Sequence, residues 1–337
     1  MNQQVLGRLS GGENLSLEET AAAVDGIMQG RWSEVEIGLF LTALRAKGET
    51  VDEIAGAATA MRRHMTPIHS HRQGIIDTCG TGGSSSATFN ISTSAALVTA
   101  AAGVPVAKHG NRRVTSKSGS ADVLAELGVN LNATVECVGS CLDELGVCFC
   151  FAPLLHAAMK HVAPVRQKLG VRTIFNLLGP LTNPAGAPFQ LMGVGRDELR
   201  PQLAAVLNRL GTRRAAVVHG TDGLGEVTLA GPTRVTEVRD GELRELVWSP
   251  EDFGLPHSSL EAIQVETPEQ SAAIVRRVLA GEAGPAREIV LLNAAAALWV
   301  ADRAATLPEC VKFAVEAIDS GAARELLARL VERTNRG

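Results

Sequence analysis

Gly74-Ile-Ile-Asp77, then Cys79-Gly-Thr-Gly-Gly83, then Asn90-Ile-Ser-Thr93 opening the stretch 94–102, read as strand, loop and helix in direct succession. The glycines let backbone N–H groups approach an anion closely. A helix start bearing Asn, Ser and Thr adds further donors and a favourable dipole. The loop misses G-x-G-x-x-G because Ser85 holds the last glycine position, and no Gly-Lys-Ser/Thr follows. Dinucleotide-fingerprint and P-loop readings therefore drop.

Outward from this unit, the runs Val104-Pro-Val-Ala107, Ala215-Ala-Val-Val218 and Ile289-Val-Leu-Leu292 alternate with Ala- and Leu-rich helical stretches. That alternation predicts an α/β fold with a mostly parallel central sheet. Residues 1–72 differ in character. Ser16-Leu-Glu-Glu19 is a capping box for a helix ending near Gly30, and Thr50-Val-Asp-Glu53 caps another running to about Arg63. Between them Ile37, Phe40, Leu41 and Leu44 form one apolar helix face, stopped by Gly48. The expectation is a small all-helical domain, completed by a helical excursion at about 164–185. Residues 73–163 and 186–337 then make the larger α/β domain.

Composition excludes several functions. A net charge of −4 offers no global basic field, and 3% aromatics with no Tyr offer little stacking surface, so nucleic acid is not the expected partner. The stretch around Ala95–Val106 is too short to span a bilayer, and the N-terminus lacks a signal-peptide pattern, so no membrane role and a cytoplasmic location are expected. Cys137, Cys141, Cys148 and Cys150 lack the paired spacing of a zinc knuckle and read as buried thiols. His64, His69 and His71, with no acidic neighbour in sequence, read as a polar inter-domain segment.

Three further stretches bear chemistry. Lys108-His-Gly-Asn-Arg-Arg-Val-Thr-Ser116 packs cations and hydroxyls behind a strand, which suits a polyanion. Asp222-Gly-Leu-Gly-Glu226 follows the strand 215–218, and its carboxylates suit either Mg²⁺ or a plain turn. Arg166 and Arg172 suit a carboxylate substrate or a solvated helix surface, and the residues alone leave both open.

Taken together, Gly80-Thr-Gly-Gly83, Thr88-Phe-Asn-Ile-Ser-Thr93, Lys108-His-Gly-Asn-Arg112, Ser118-Gly-Ser-Ala-Asp122, His161-Val-Ala-Pro-Val-Arg166, Arg172-Thr-Ile-Phe-Asn-Leu-Leu-Gly-Pro-Leu-Thr-Asn-Pro184 and Lys47-Gly-Glu-Thr50 resemble the anthranilate phosphoribosyltransferase family nearly end to end. The resemblance implies a small helical domain hinged to a larger α/β domain, of nucleoside phosphorylase/phosphoribosyltransferase type, and a homodimer formed through the helical part. It implies transfer of phosphoribosyl from phosphoribosyl diphosphate to anthranilate, a step of tryptophan biosynthesis, with Mg²⁺ as cofactor.

The resemblance also implies residue roles. Gly80, Gly83, Ser84, Thr88, Asn90, Ile91, Ser92 and Thr93 would meet the donor. Lys108, His109, Gly110, Asn111, Arg112, Arg113, Val114, Thr115, Ser116 and Ser120 would complete its site. Gly80, Asn111 and Arg166 would meet anthranilate, and Ser92 and Glu226 would hold metal.

Two departures stand out. Ser84 occupies a position where the family commonly has Asp, and Gly225-Glu226 replaces an Asp-Glu pair. The implied consequence is one bound metal plus arginine in place of two metals, with Asp222 as a partial substitute. Two rivals accompany this reading: a pyrimidine-nucleoside phosphorylase-like enzyme, and a nucleic-acid-binding relative without activity.

Overall fold

The computed structural model describes residues 2–82, 86–112 and 119–336. The chain opens with four helices, α1 (Asn2–Ser10), α2 (Leu17–Met28), α3 (Glu34–Lys47) and α4 (Val51–His64). Both sequence-read capping boxes are present, Ser16 with Glu19 and Thr50 with Glu53. A third, Ser33 with Glu36, starts α3. Gly48 ends α3 at a φ of 87°, a conformation that only glycine adopts freely. Ile37, Phe40, Leu41 and Leu44 are all buried, as the periodicity requires.

One buried ion pair ties this bundle together. Glu53 Oε1 accepts from the Leu15 amide at 2.9 Å, while Oε2 accepts from the Thr50 amide and Lys47 Nζ at 2.8 Å each. Removing the carboxylate strands a buried ammonium and two amides. Glu53→Ala should therefore lose about 3–5 kcal/mol of stability, read as a lowered urea midpoint. Unchanged unfolding would contradict this account.

The remaining chain builds a seven-stranded sheet in the order β3-β2-β1-β4-β5-β6-β7. Its strands are β1 (Ile76–Asp77), β2 (Val106–Gly110), β3 (Val147–Phe151), β4 (Phe189–Gly193), β5 (Arg214–Gly220), β6 (Thr233–Arg239) and β7 (Glu242–Trp248). The first five are parallel, and β6 and β7 form an antiparallel hairpin at one edge. Interleaved are α5 (Ile91–Ala101), α6 (Ser120–Glu126), α7 (Val135–Leu145), α8 (Ala152–Leu155), α9 (Ala163–Leu169), α10 (Phe175–Leu178) and α11 (Leu199–Arg209). Then follow α12 (Pro268–Leu279), α13 (Pro285–Val300), α14 (Leu307–Asp319) and α15 (Ala322–Arg336).

Two expectations need correction. Ile289–Leu292 is not a strand but the centre of α13, which packs on α5 and α14 and is buried on nearly all sides. A helix without an exposed face shows no 3.6-residue period, so its apolar run imitates a core strand. Lys108, His109 and Gly110 lie on β2 itself, not in a loop beyond it.

Val162, Val165, Ile174, Phe175, Leu178 and Leu181 join the same apolar cluster as α1 to α4. The excursion after α8 therefore returns to the helical bundle. Met192, Leu203, Val206 and Val217 belong to that cluster too, so the bundle rests directly against α11 and one face of the sheet.

Candidate functional site

Strand order locates the site before any side chain is considered. β1 and β4 are neighbours, yet the chain leaves β1 toward β2 and leaves β4 toward β5. Ligands of open α/β sheets bind beyond the carboxyl ends of the strands at such a switch point. A cavity of about 360 Å³ lies there, lined by residues following β1, β2, β4 and β5 and by the excursion around α9 and α10.

On the β1 side, Asn90 caps α5 by accepting from the Thr93 amide through Oδ1 at 3.0 Å. Ser92 lies in the first turn of α5 and accepts from Lys108 Nζ at 3.1 Å. Lys108 Nζ also donates to Thr78 O at 3.2 Å and Thr78 Oγ1 at 3.4 Å. Burial pulls the lysine below its ordinary pKa, with the charges of Asp77 and Glu226 opposing that shift. The arrangement holds an ammonium beside a helix start and the Gly80 loop, which is a built anion cradle.

Beyond β5, Glu226 faces the cavity. Burial pushes its carboxyl up to about 7; Lys108 opposes the shift and Asp222 adds to it. Asp222 does not act as a free ligand. Its Oδ1 accepts from the Leu224 amide at 3.0 Å and its Oδ2 from Thr228 Oγ1 at 2.6 Å, so it shapes the turn. The loop bearing Glu226 rests on the β4 backbone: a Cβ on Gly193 would lie 1.6 Å from Gly225 O. Gly193→Ala should displace that loop and lower kcat/KM at least about 10²-fold, at a stability cost of about 1–3 kcal/mol. Wild-type kinetics in this variant would refute the placement.

Another wall of the cavity comes from the excursion. Arg166 on α9 stacks its guanidinium 5.9 Å from the Phe175 ring and lines the cavity half-buried. Burial lowers its pKa, and among the described residues it has no carboxylate or hydrogen-bond partner for its side chain. Arg172, Asn176 and Gly179 line the same wall. Asn111 lines the cavity too, and its carbonyl accepts from the Ala121 amide at 3.2 Å and from Ser120 Oγ at 3.4 Å, which fixes the end of β2.

His109 and His156 form a buried pair with Nε2 atoms 3.2 Å apart, and His109 Nδ1 lies 2.8 Å from Gly179 O. One tautomer set satisfies both contacts: His109 donates from Nδ1 to the carbonyl and accepts at Nε2 from His156. Burial depresses His109 to about 4 and His156 to about 3. With both ring nitrogens committed, His109 is a fixed wall and not a proton acceptor.

Gly80, Thr88, Asn90, Ser92, Lys108, His109, Gly110, Asn111, Arg112, Ser120, Arg166 and Glu226 thus all line one cavity. Ile91 and Thr93 do not; both side chains are buried in the packing of α5. Gly83, Ser84, Arg113, Val114, Thr115 and Ser116 lie outside the described residues.

His64, read without an acidic partner, faces Asp25 Oδ1 at 3.0 Å across the bundle. Asp77, Cys79 and His109 bring ligand-type atoms within 4.8 Å of one another. The carboxylate of Asp77 and both nitrogens of His109 are already engaged, so this group is packing and not a metal centre. Sequence reading assigned no role to Asn183 and took no notice of Thr78, His156 and Gly193, whose partners lie far away along the chain.

This pairing of a helical bundle with a sheet and an anion cradle has known counterparts. Residues 72–324 match the family described as "Glycosyl transferase family, a/b domain", and residues 3–65 match its "helical bundle domain". An anthranilate phosphoribosyltransferase from Symbiobacterium thermophilum is 53% identical over 98% of this chain and 97% of its own length. The anthranilate phosphoribosyltransferase of Thermus thermophilus superposes with a TM-score of 0.92, at 45% identity over 98% of this chain and 99% of its own. The Saccharomyces cerevisiae enzyme, solved in complex with PRPP and Mg, gives 0.89 at 28% identity over 100% and 98%. The chain belongs to the anthranilate phosphoribosyltransferase family.

Proposed function

We propose that this protein transfers the phosphoribosyl group of phosphoribosyl diphosphate to the amine of anthranilate, giving N-(5-phosphoribosyl)anthranilate and diphosphate, the second step from chorismate toward tryptophan. The observation that carries the proposal is one cavity lined by two unlike cations. One is Lys108, held in the cradle with Ser92 beside the Gly80 loop; the other is Arg166, half-buried over Phe175 with no carboxylate or hydrogen-bond partner among the described residues.

Displacing diphosphate from ribose C1 builds negative charge on the leaving group and positive charge on the ring. Lys108, Ser92 and the amino end of α5 stabilise the first, while Arg166 and Asn111 hold the acceptor's carboxylate so that its amine faces C1. An aryl amine is nucleophilic without a protein base, which agrees with a committed His109.

Glu226 and Ser92 present hard oxygen donors to the cavity and fit Mg²⁺. When bound there, Mg²⁺ would neutralise and orient the diphosphate oxygens. Glu226 is the single carboxylate among the described lining residues, Asp222 is engaged in its turn, and residues 83–85 and 113–118 contain no acid. We read the site as holding one ion per bound donor. Equilibrium dialysis with Mn²⁺ and phosphoribosyl diphosphate should then show one ion co-retained per donor; two would contradict it.

Exposed Val35 and Leu39, one turn apart on α3, support a homodimer formed through the helical part, which comprises residues 1–72 and the excursion. No helix among the described residues is long and apolar enough to cross a membrane, and we place the enzyme in the cytoplasm. The test of function is stoichiometry: one diphosphate released per anthranilate consumed supports it. Orthophosphate-dependent cleavage of nucleosides in its place would favour the phosphorylase rival.

A further inference from the structure

Asp77 ends β1, the middle one of the five parallel strands, and is 1% exposed, yet no step described above uses it. Its Oδ1 accepts from the His109 amide on β2 at 3.1 Å, and its Oδ2 accepts from Asn183 Nδ2 at 2.7 Å. Asn183 also donates to Ala107 O at 2.7 Å, and its Oδ1 accepts from the Ala185 amide at 2.9 Å. The amide therefore cannot flip without setting its oxygen against the Ala107 carbonyl.

Asn183 closes the segment that begins at Gly179, and this segment is fastened at nearly every carbonyl. Gly179 O accepts from His109 Nδ1, Pro180 O from Gln190 Nε2 at 2.6 Å, Leu181 O from Arg62 Nε at 2.8 Å, and Pro184 O from the Ile68 amide at 3.0 Å. The donors come from β2, β4, α4 and the inter-domain link. The segment directly follows the helices that carry Arg166 and Phe175. Asp77 itself directly precedes Thr78, which accepts from Lys108.

We propose that Asp77 and Asn183 are positioning residues: a buried clasp that fixes the acceptor wall (Arg166, Phe175 and Gly179) in register with the donor cradle (Thr78, Lys108 and Ser92). The inference rests on the reading of the cavity as a two-substrate site. Its function is to set the distance between two bound reactants, not to bind either of them. A displacement near 1 Å between such groups costs about 10²-fold in rate.

The test is Asp77→Asn, which keeps the shape but turns an amide group toward one of two donors. The expected result is a kcat about 10²-fold lower in a folded enzyme, with equilibrium affinities for anthranilate and phosphoribosyl diphosphate each within about threefold of wild type. The double variant Asp77→Asn/Asn183→Ala should lose no more than about threefold in kcat beyond Asp77→Asn alone, because the two residues act as one clasp and their losses do not multiply. Should Asp77→Asn fail to fold, Asn183→Ala replaces it with the same expectation. The clasp is overturned if kcat stays within about twofold of wild type, if the loss appears in either substrate's affinity with kcat unchanged, or if the losses of Asp77→Asn and Asn183→Ala multiply in the double variant. Native enzyme that is folded but inactive toward both substrates would instead overturn the two-substrate reading beneath it.

Discussion

Arg166→Ala should raise the KM for anthranilate by roughly 30- to 1,000-fold while leaving the KM for phosphoribosyl diphosphate near its native value. The guanidinium is half-buried over Phe175, lines the cavity, and has no protein anion beside it among the described residues. A desolvated cation without a partner is costly to keep unless a ligand completes it. Removing one member of such a charge pair costs about 2–4 kcal/mol, and 1.4 kcal/mol is tenfold. Arg166→Lys should rescue only part of this, because an ammonium cannot match a carboxylate with two parallel donors. Steady-state kinetics with each substrate varied in turn separates the two constants. An effect confined to the donor's KM would place Arg166 at the wrong end of the cavity.

Lys108→Met should lower kcat/KM for phosphoribosyl diphosphate by about 10²- to 10³-fold, with kcat falling too. Methionine nearly matches the stem in shape but removes the ammonium that bridges Thr78 and Ser92. The loss acts where charge develops on the leaving diphosphate, so it should exceed any loss of ground-state affinity. It also leaves Glu226 without the cation that restrains its rising pKa. An enzyme that merely unfolds more easily while keeping kcat would reduce Lys108 to a structural role.

How much of this was legible in the sequence depended on where each residue's partners lie. The Gly80 loop and the Asn90 cap are local features, separated by a few residues, and they read correctly as strand, loop and helix start. The helical bundle was legible because its caps and its apolar spacing are local too.

Not every buried strand was legible. β3 is buried throughout, and its Val147-Cys-Phe-Cys-Phe151 run read only as cysteines. The β6–β7 hairpin did carry a signal that went unused. Asp240-Gly241 joins its strands with φ values of 50° and 88°, as a tight hairpin turn demands. The site's support was the least legible part. Asp77 and Asn183 are 106 residues apart, and the fit of Gly193 against Gly225 is a backbone contact that no motif announces. Arg166 was readable as a cation, but its lack of a carboxylate or hydrogen-bond partner among the described residues becomes visible only once the excursion folds back against the bundle.

In the proposed reaction one cavity brings phosphoribosyl diphosphate and anthranilate together at the β1–β4 switch point. Anthranilate fluorescence, followed after mixing the native protein with phosphoribosyl diphosphate and Mg²⁺, tests it most directly. The expected result is a continuous loss of fluorescence that requires protein, phosphoribosyl diphosphate and Mg²⁺ together and is slowed at least about 10²-fold by Lys108→Met. A steady signal from well-folded protein, or a loss that proceeds equally without phosphoribosyl diphosphate, would contradict it.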